Sequence, residues 1–336
     1  MQAIIVDTQG HLSVEARPDS SLGAGQVLID VICAPVNPAD RMQIAGTYIV
    51  RKEPPFIPGV VGVGRVVDVN GAGLLGRFLR DRTVVFAPGP DLPGTWAERA
   101  VAPAAQCIPL PRKLKPEEAV NLLANAMTAT ALIEEAKAAR SPALVLTGAA
   151  GELGRMLNAV GPKRGVKIVS VVRREDQAQS LRDAGARHVV VIADGEANDA
   201  ERAALREAVK ATGARIAGDA VAGAMPELLL DALPDGGELI SFGRLSGAPL
   251  SFDPMRFLVG KHQVVRGFDI GRWLETRGKL AQLRAVRQAT DILTNGFRTK
   301  VQAAVDLDEL AARFEELGRA QSSGKTVVYP NGVPAG

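Results

Sequence analysis

Three glycines set three apart, Gly148, Gly151 and Gly154, stand in the run ALVLTGAAGELGRMLNAVGPKRGVKIVSVVRRE at 143–175. Glycine lets the main chain approach a ligand closely. A helix that follows such a turn offers unpaired N–H groups and a partial positive charge, which together suit a pyrophosphate. The spacing is G-x-x-G-x-x-G rather than strict G-x-G-x-x-G, and by itself it fits a glycine-rich turn in any α/β protein. The flanks sharpen it. Residues 143–146 are apolar and β-rich, Met156, Leu157 and Val160 keep helical spacing, Gly161-Pro162 closes the helix, and 166–172 is a second β-rich run. This is a strand–turn–helix–strand unit. About twenty residues past the turn, a fold that prefers NAD carries Asp or Glu for the ribose hydroxyls. Here that place holds Arg173 and Arg174. Guanidinium groups match a 2′-phosphate in charge and geometry, so the expected cofactor is NADPH rather than NADH. A pair of surface arginines is the plain alternative. Glu175 and Asp176 then open the next helix, where acidic side chains favour the dipole.

The rest of the chain must position that unit. Its 336 residues point to roughly two domains of ~150 residues. The net charge of +3 shows no clustered basic face for a nucleic acid, and no apolar run is long enough to span a membrane. The start, MQAIIVDTQG, lacks the features of a secretory signal. Cys33 and Cys107, the only cysteines, read as separate buried thiols of a cytoplasmic protein.

Up to about residue 110 the pattern is β-rich with frequent turns. Short strands are expected at 3–7, 12–16, 26–36, 63–69, 83–87 and 95–101, the first two as a hairpin. Asn37-Pro38-Ala39-Asp40 suits a helix start. From Pro116 the character changes. Helices are expected at 116–126, 128–139, 177–184, 199–212 and 225–233, with strands at 188–192, 215–220, 237–242 and 263–268. Such alternation marks a doubly wound parallel sheet. A long helix at 272–294, a strand at 301–305, a helix at 307–317 and a strand at 325–329 return β character to the end of the chain.

This order of parts, with GQVLIDVICAPVNPAD, GTWAERAVAP, NAMTATALI, DAVAG and GGELISFGRLSG, resembles the medium-chain dehydrogenase/reductase superfamily over essentially the whole chain. The resemblance is to its zinc-free NADPH-dependent branches, the quinone oxidoreductases and the mitochondrial-type trans-2-enoyl thioester reductases. VNPADRMQIAGTY, GTWAE, NAMTA, SVVRRE and VVRGF lean towards the second. It implies an α/β fold: a GroES-like β-barrel catalytic domain from 1–121 and 270–336, and a Rossmann NADPH-binding domain from 122–269. It also implies a homodimer paired along the strand at 263–268.

The superfamily's zinc enzymes place a catalytic Cys where this chain has Asn37, and a His-Glu pair near Val60-Val61. Their structural zinc needs four close cysteines. His11, His188 and His262 are scattered, so no metal is expected. Hydride addition to a conjugated C=C bond then needs another group to steady the enolate oxygen and supply a proton. Tyr48, in AGTY, matches the tyrosine that enoyl reductases use as proton donor; a ring packed under its loop is the alternative. Asn37 and Asp40 orient the loop or substrate, or merely cap a helix. By the same resemblance Asn125 touches the nicotinamide-ribose side, and Ala150, Gly151, Glu152, Leu153 and Gly154 form the phosphate turn. Phe242, Gly243, Arg244 and Leu245 form the loop beside the nicotinamide, and Phe268, Asp269 and Ile270 lie in the segment after VVRG. Lys325 falls at a cofactor-side lysine, with a surface role equally open. Three departures stand out: Glu152 for glycine, Asp269 for tryptophan, and Val60-Val61 for an acidic stretch.

The expected activity is NADPH-dependent reduction of activated C=C bonds, as in an enoyl thioester or enone, on a small-molecule substrate. NADPH:quinone oxidoreduction is the alternative, and Glu152 and Asp269 keep a non-catalytic NADPH-binding protein in view.

Overall fold

A computed structural model describes residues 1–193, 197–319 and 324–334. Contacts divide the chain into two units: Met1–Ala124 with Arg298–Gly336, and Asn125–Phe297. Among the described residues, no helix is long and apolar enough to cross a membrane.

The first unit is built on a mainly antiparallel sheet. Its longest strand, Gln26–Pro35, alternates buried and half-buried side chains, the period of a strand with one face on a core. It pairs antiparallel with Gly62–Asn70, with Arg99–Pro103 and, from the far end of the chain, with Lys325–Val328. The last of these runs parallel to Val301–Val305. The expected hairpin is present as Gln2–Val6 against Leu12–Ala16. The strand expected at 95–101 starts only at Arg99. Gly94, Thr95 and Trp96 instead donate their N–H groups back to Ile57, Gly59 and Pro58.

The second unit holds a six-stranded, all-parallel sheet. In space its strands run His188–Val191, Lys167–Val172, Ala143–Leu146, Ile216–Asp219, Glu238–Ser241 and Val264–Gly267. Numbered along the chain that is 3-2-1-4-5-6, the dinucleotide-binding order. The central runs ALVL and KIVSVV are buried almost throughout, as strands covered on both faces must be. The helix Asp199–Thr212 matches its expected span because both ends are encoded. Asn198 and Glu201 exchange side-chain and backbone hydrogen bonds at 2.9 Å, and Gly213 adopts φ 72° at the other end.

Two expected helices differ from the structure. Residues 270–297 group by contacts with the parallel-sheet unit. Trp273 is buried, and its indole N–H donates to Glu135 on the helix Met127–Ala138 at 2.7 Å. Arg277 stacks on the Trp273 ring at 3.5 Å and pairs with the same carboxylate. The single helix expected at 272–294 is two, Ile270–Glu275 and Lys279–Asp291, because Gly278 takes an extended conformation as the N-cap of the second. The helix expected at 116–126 is α-helical only at Pro116–Ala119 and continues as a π turn, Leu122–Ala126.

Candidate functional site

In the parallel sheet every strand points the same way, so the segments leaving the strand ends share one edge. Thr147–Gly151 follows Leu146, Arg173-Arg174 follow Val172, Ala220–Gly223 follow Asp219, Phe242–Leu245 follow Ser241, and Phe268–Ile270 follow Gly267. The expected cofactor residues of this unit, apart from Asn125, therefore gather along that edge, where ligands of such sheets bind. Asn125 lies in the π turn leading into Met127–Ala138.

The glycine turn is set by contact distances. Gly148 adopts φ +62°. A Cβ on Gly154 would stand 2.1 Å from the Ala149 carbonyl oxygen, so only glycine lets the helix Glu152–Val160 seat against the turn. Gly151 is the N-cap in an extended conformation without a side-chain cap. The first-turn N–H groups of this helix lack intrahelical acceptors, as at any helix start. Glu152, the departure from glycine in this turn, is buried and pairs with Arg155.

One residue that the sequence reading overlooked organises the edge. Asp219 is fully buried. Its Oδ1 accepts from the Thr147 hydroxyl at 2.6 Å and the Val221 N–H at 3.0 Å, and its Oδ2 accepts from the Ala222 N–H at 2.9 Å. Thr147 in turn accepts from the Ala220 N–H. The loop after Ser241 hangs on the same segment: Phe242 N–H donates to the Asp219 carbonyl and Leu245 N–H to that of Ala220. Gly243 is needed there, since a Cβ would lie 2.7 Å from the Ala220 oxygen. The signal was an acidic residue closing an apolar run in DAVAG.

Arg174 caps the helix Glu175–Asp183 and grips Asp176 through two hydrogen bonds, 3.0 and 3.3 Å, at the surface. That contact holds the Asp176 carboxyl below its ordinary range. The Arg173 N–H donates to the Gln177 side chain. Asp269 is an N-cap, accepting from the Arg272 N–H at 2.9 Å. Arg244 folds onto its own loop carbonyls, Gly247 and Ala248, while Leu245 is exposed.

In the other unit, the helix Pro38–Ile44 ends in a turn that carries Tyr48, half-buried, with its N–H on the Met42 carbonyl at 3.0 Å. Beneath the helix start lies a polar cluster. Asp40, fully buried, accepts from the N–H groups of Asn37 at 2.7 Å and Val60 at 2.8 Å. The Lys325 ammonium donates to Asn37 Oδ1, and Lys325 is buried, which removes the surface role left open for it. The places where the zinc enzymes carry ligands are thus joined here by hydrogen bonds to one aspartate. Among the described residues, no group of three or more His, Cys, Asp or Glu side chains could hold a metal ion.

Two domain-family models match the chain: "Alcohol dehydrogenase GroES-like domain" over residues 23–112 and "Zinc-binding dehydrogenase" over 153–285. The mitochondrial enoyl-[acyl-carrier-protein] reductase of Caenorhabditis elegans is 28% identical over 257 residues, 75% of this chain and 71% of that protein. A Mesorhizobium loti protein assigned as an NADPH:quinone reductase superposes with a TM-score of 0.89 at 29% identity, covering 98% of both chains. The quinone oxidoreductase of Thermus thermophilus, solved also in complex with NADPH, gives a TM-score of 0.77 at 27% identity, covering 98% of this chain and 100% of that one.

Burial pushes the Asp40 carboxyl up from 3.8 to about 6, against its two N–H donors and the Lys325 charge, which pull it down. Its folded pKa lies above its unfolded one. Its contribution to stability is therefore full below about pH 4 and is lost as pH rises to about 6. Asp40→Asn has no such titration. Denaturant unfolding of both proteins between about pH 4 and pH 7 should show wild type gaining on the variant as pH falls. A difference independent of pH would contradict the raised pKa.

Proposed function

The chain belongs to the medium-chain dehydrogenase/reductase superfamily of oxidoreductases, and from that premise we propose that it is an NADPH-dependent reductase of activated C=C bonds, of the enoyl-thioester or enone type. Reduction of quinones is the second reading, favoured by the names of the structurally similar proteins from M. loti and T. thermophilus. The observation that carries the cofactor assignment is the shared strand-end edge. It brings a glycine turn and helix start into one row with Arg173-Arg174, where an NAD-preferring fold has an acid.

The residues present fit that cofactor. Gly151 and Gly154 leave the main chain bare at the helix start, and the Glu152 charge is met by Arg155. The Arg174–Asp176 pair is exposed, and solvent leaves such pairs weak, so a 2′-phosphate can replace Asp176 at little cost. Glu152 and Asp269, the departures that kept a non-catalytic binder in view, have local partners in Arg155 and the Arg272 N–H. Asn125 and the loop 242–245 serve the nicotinamide side, and Phe268, Asp269 and Ile270 border it. When bound, the cofactor would supply a hydride for the substrate's β-carbon. Tyr48 would hold the carbonyl oxygen by a hydrogen bond as negative charge develops there, and would supply the proton that completes the addition at the α-carbon. Lys325, Asn37 and Asp40 fix the start of the helix that the Tyr48 turn follows. The catalytic domain read from sequence, 1–121 with 270–336, and the Rossmann domain, 122–269, remain our proposal for the division of labour.

We also assign the exposed edge strand Val264–Gly267, with Met255, Val259 and Val264 uncovered beside it, to a homodimer contact. Solution scattering should give twice the chain mass, and a monomer would end that assignment.

Tyr48→Phe keeps the ring and removes the donor. It should bind NADPH normally and lose on the order of a hundredfold in kcat with an enoyl thioester, about 3 kcal/mol of barrier, with kcat/KM falling in parallel. With a quinone the loss should be smaller, because water can protonate the hydroquinone anion. A Tyr48→Phe enzyme reducing crotonyl thioester at the wild-type rate would reduce Tyr48 to a packing role. Replacing Arg173 and Arg174 by alanine should weaken NADPH far more than NADH. Equal losses would count against the 2′-phosphate assignment. NADPH oxidation measured in parallel with crotonyl thioester, an enone and a quinone decides the substrate class.

A further inference from the structure

Three consecutive main-chain N–H groups at the strand-end edge donate to side chains. Ala220 N–H donates to the Thr147 hydroxyl at 2.9 Å, Val221 N–H to Asp219 Oδ1 at 3.0 Å and Ala222 N–H to Asp219 Oδ2 at 2.9 Å. The Thr147 hydroxyl donates in turn to Asp219 Oδ1 at 2.6 Å, so the two side chains act as one unit. Both residues are buried. The carbonyls of the same segment take the next loop. Asp219 accepts from the Phe242 N–H at 2.9 Å, Ala220 from that of Leu245 at 3.0 Å and Val221 from that of Ser246 at 3.0 Å. Residues 219–222 are thus a bracket: two side chains hold its N–H groups, and its carbonyls carry the loop 242–246.

The bracket holds its shape against a backbone preference. Ala222 adopts φ 62°, in the left-handed region that a Cβ disfavours. Such a conformation persists only where the surroundings fix it. Here the residue is buried and its N–H is on Asp219 Oδ2. The glycine turn, by contrast, has main-chain bonds of its own. Thr147 N–H donates to the Gly218 carbonyl at 3.1 Å, Ala149 N–H to that of Val171 at 3.3 Å and Gly151 N–H to that of Gly148 at 3.1 Å. Loss of the Thr147 hydroxyl or of an Asp219 oxygen would therefore loosen the loop 242–246 and leave the turn in place.

Resting on the reading of this unit as the NADPH site, with the loop 242–245 on the nicotinamide side, we infer that Thr147 and Asp219 are positioning residues for the nicotinamide half of the cofactor. They are closed to solvent and act through the main chain of 220–222 on the loop 242–246. The adenine half, which falls to the glycine turn and Arg173-Arg174, does not depend on them.

The test compares two ligands on the full chain by calorimetric titration without substrate: NADPH, and adenosine 2′,5′-bisphosphate, which carries the adenine half alone. Thr147→Val keeps the branched shape and removes the hydroxyl. It should weaken NADPH by roughly tenfold, the scale of one hydrogen bond lost inside a buried network. The bisphosphate should bind as it does to wild type. Thr147→Ser keeps the hydroxyl and should restore most of the NADPH affinity. Asp219→Asn supplies the same comparison should the valine variant not fold. Its amide nitrogen is a donor, so one of the three groups that give to Asp219 loses its acceptor. Equal losses for the two ligands would overturn the inference, since the pair would then merely support the fold. So would an unchanged NADPH affinity in the folded Thr147→Val protein, or a Thr147→Ser protein as weak as Thr147→Val. Wild type that fails to bind either ligand would overturn the reading of the unit, and this inference with it, and is recognised by appearing in the unmutated protein.

Discussion

The candidate site of the parallel-sheet unit depends on one buried carboxylate. Asp219 lies at the end of a central strand with no access to water. A carboxyl group in that setting is tolerated only when it is hydrogen-bonded. Here it accepts from Thr147, the residue after the neighbouring strand, and from two N–H groups of the loop that follows its own. The acid thereby locks the exits of two adjacent strands together. The glycine turn begins one residue after Thr147, and the 242–245 loop is hydrogen-bonded to the segment that Asp219 anchors. The shape of the edge is therefore determined from below by an interaction closed to solvent.

The other unit repeats the strategy with different parts. Asp40 joins the start of a helix at Asn37 to Val60, two residues before a strand, through two main-chain N–H groups, and Lys325 fixes the side chain of Asn37. By the resemblance, zinc-dependent members of the superfamily carry metal ligands at the places of Asn37 and Val60-Val61. Here a carboxylate and an ammonium perform the bracing, with directionality supplied by short hydrogen bonds. In each unit the buried aspartate serves as an acceptor for backbone, and the residues with freedom to act on a ligand are carried by what it holds.

What was legible in the sequence was local. The helix 199–212 carried its own start and stop signals, and the chemical alternation of strands and helices revealed the parallel sheet. What escaped was decided by contacts distant along the chain. The helix Gly73–Leu79 contains two glycines and follows an Asn-Gly turn signal, so propensity spoke against it. It forms because Gly76 allows it to press onto Val69, where a Cβ would sit 2.3 Å away. The grouping of 270–297 with the parallel sheet was not legible locally, because contacts such as the Trp273–Glu135 hydrogen bond span 138 positions. In the site, glycines, the arginine pair and Tyr48 could be found by type. The partners that give Glu152, Asp269 and Lys325 their settings could not, since nothing in a residue's identity says which neighbour it will meet.

The pairing of Lys325–Val328 with Gln26–Pro35 bears on the order of events during synthesis. A ribosome delivers the whole of 125–297 before the strand that completes the first unit's sheet exists. The parallel-sheet unit can therefore gather its contacts while Ala34 and Pro35, at the end of the first unit's longest strand, still lack their partner strand. Asn37, made early, meets the Lys325 ammonium only after 288 further positions have been translated. The Lys325 contact of that polar cluster is thus among the late ones to close, and a chain cut short before Lys325 would lack it, keeping only the Asp40 hydrogen bonds.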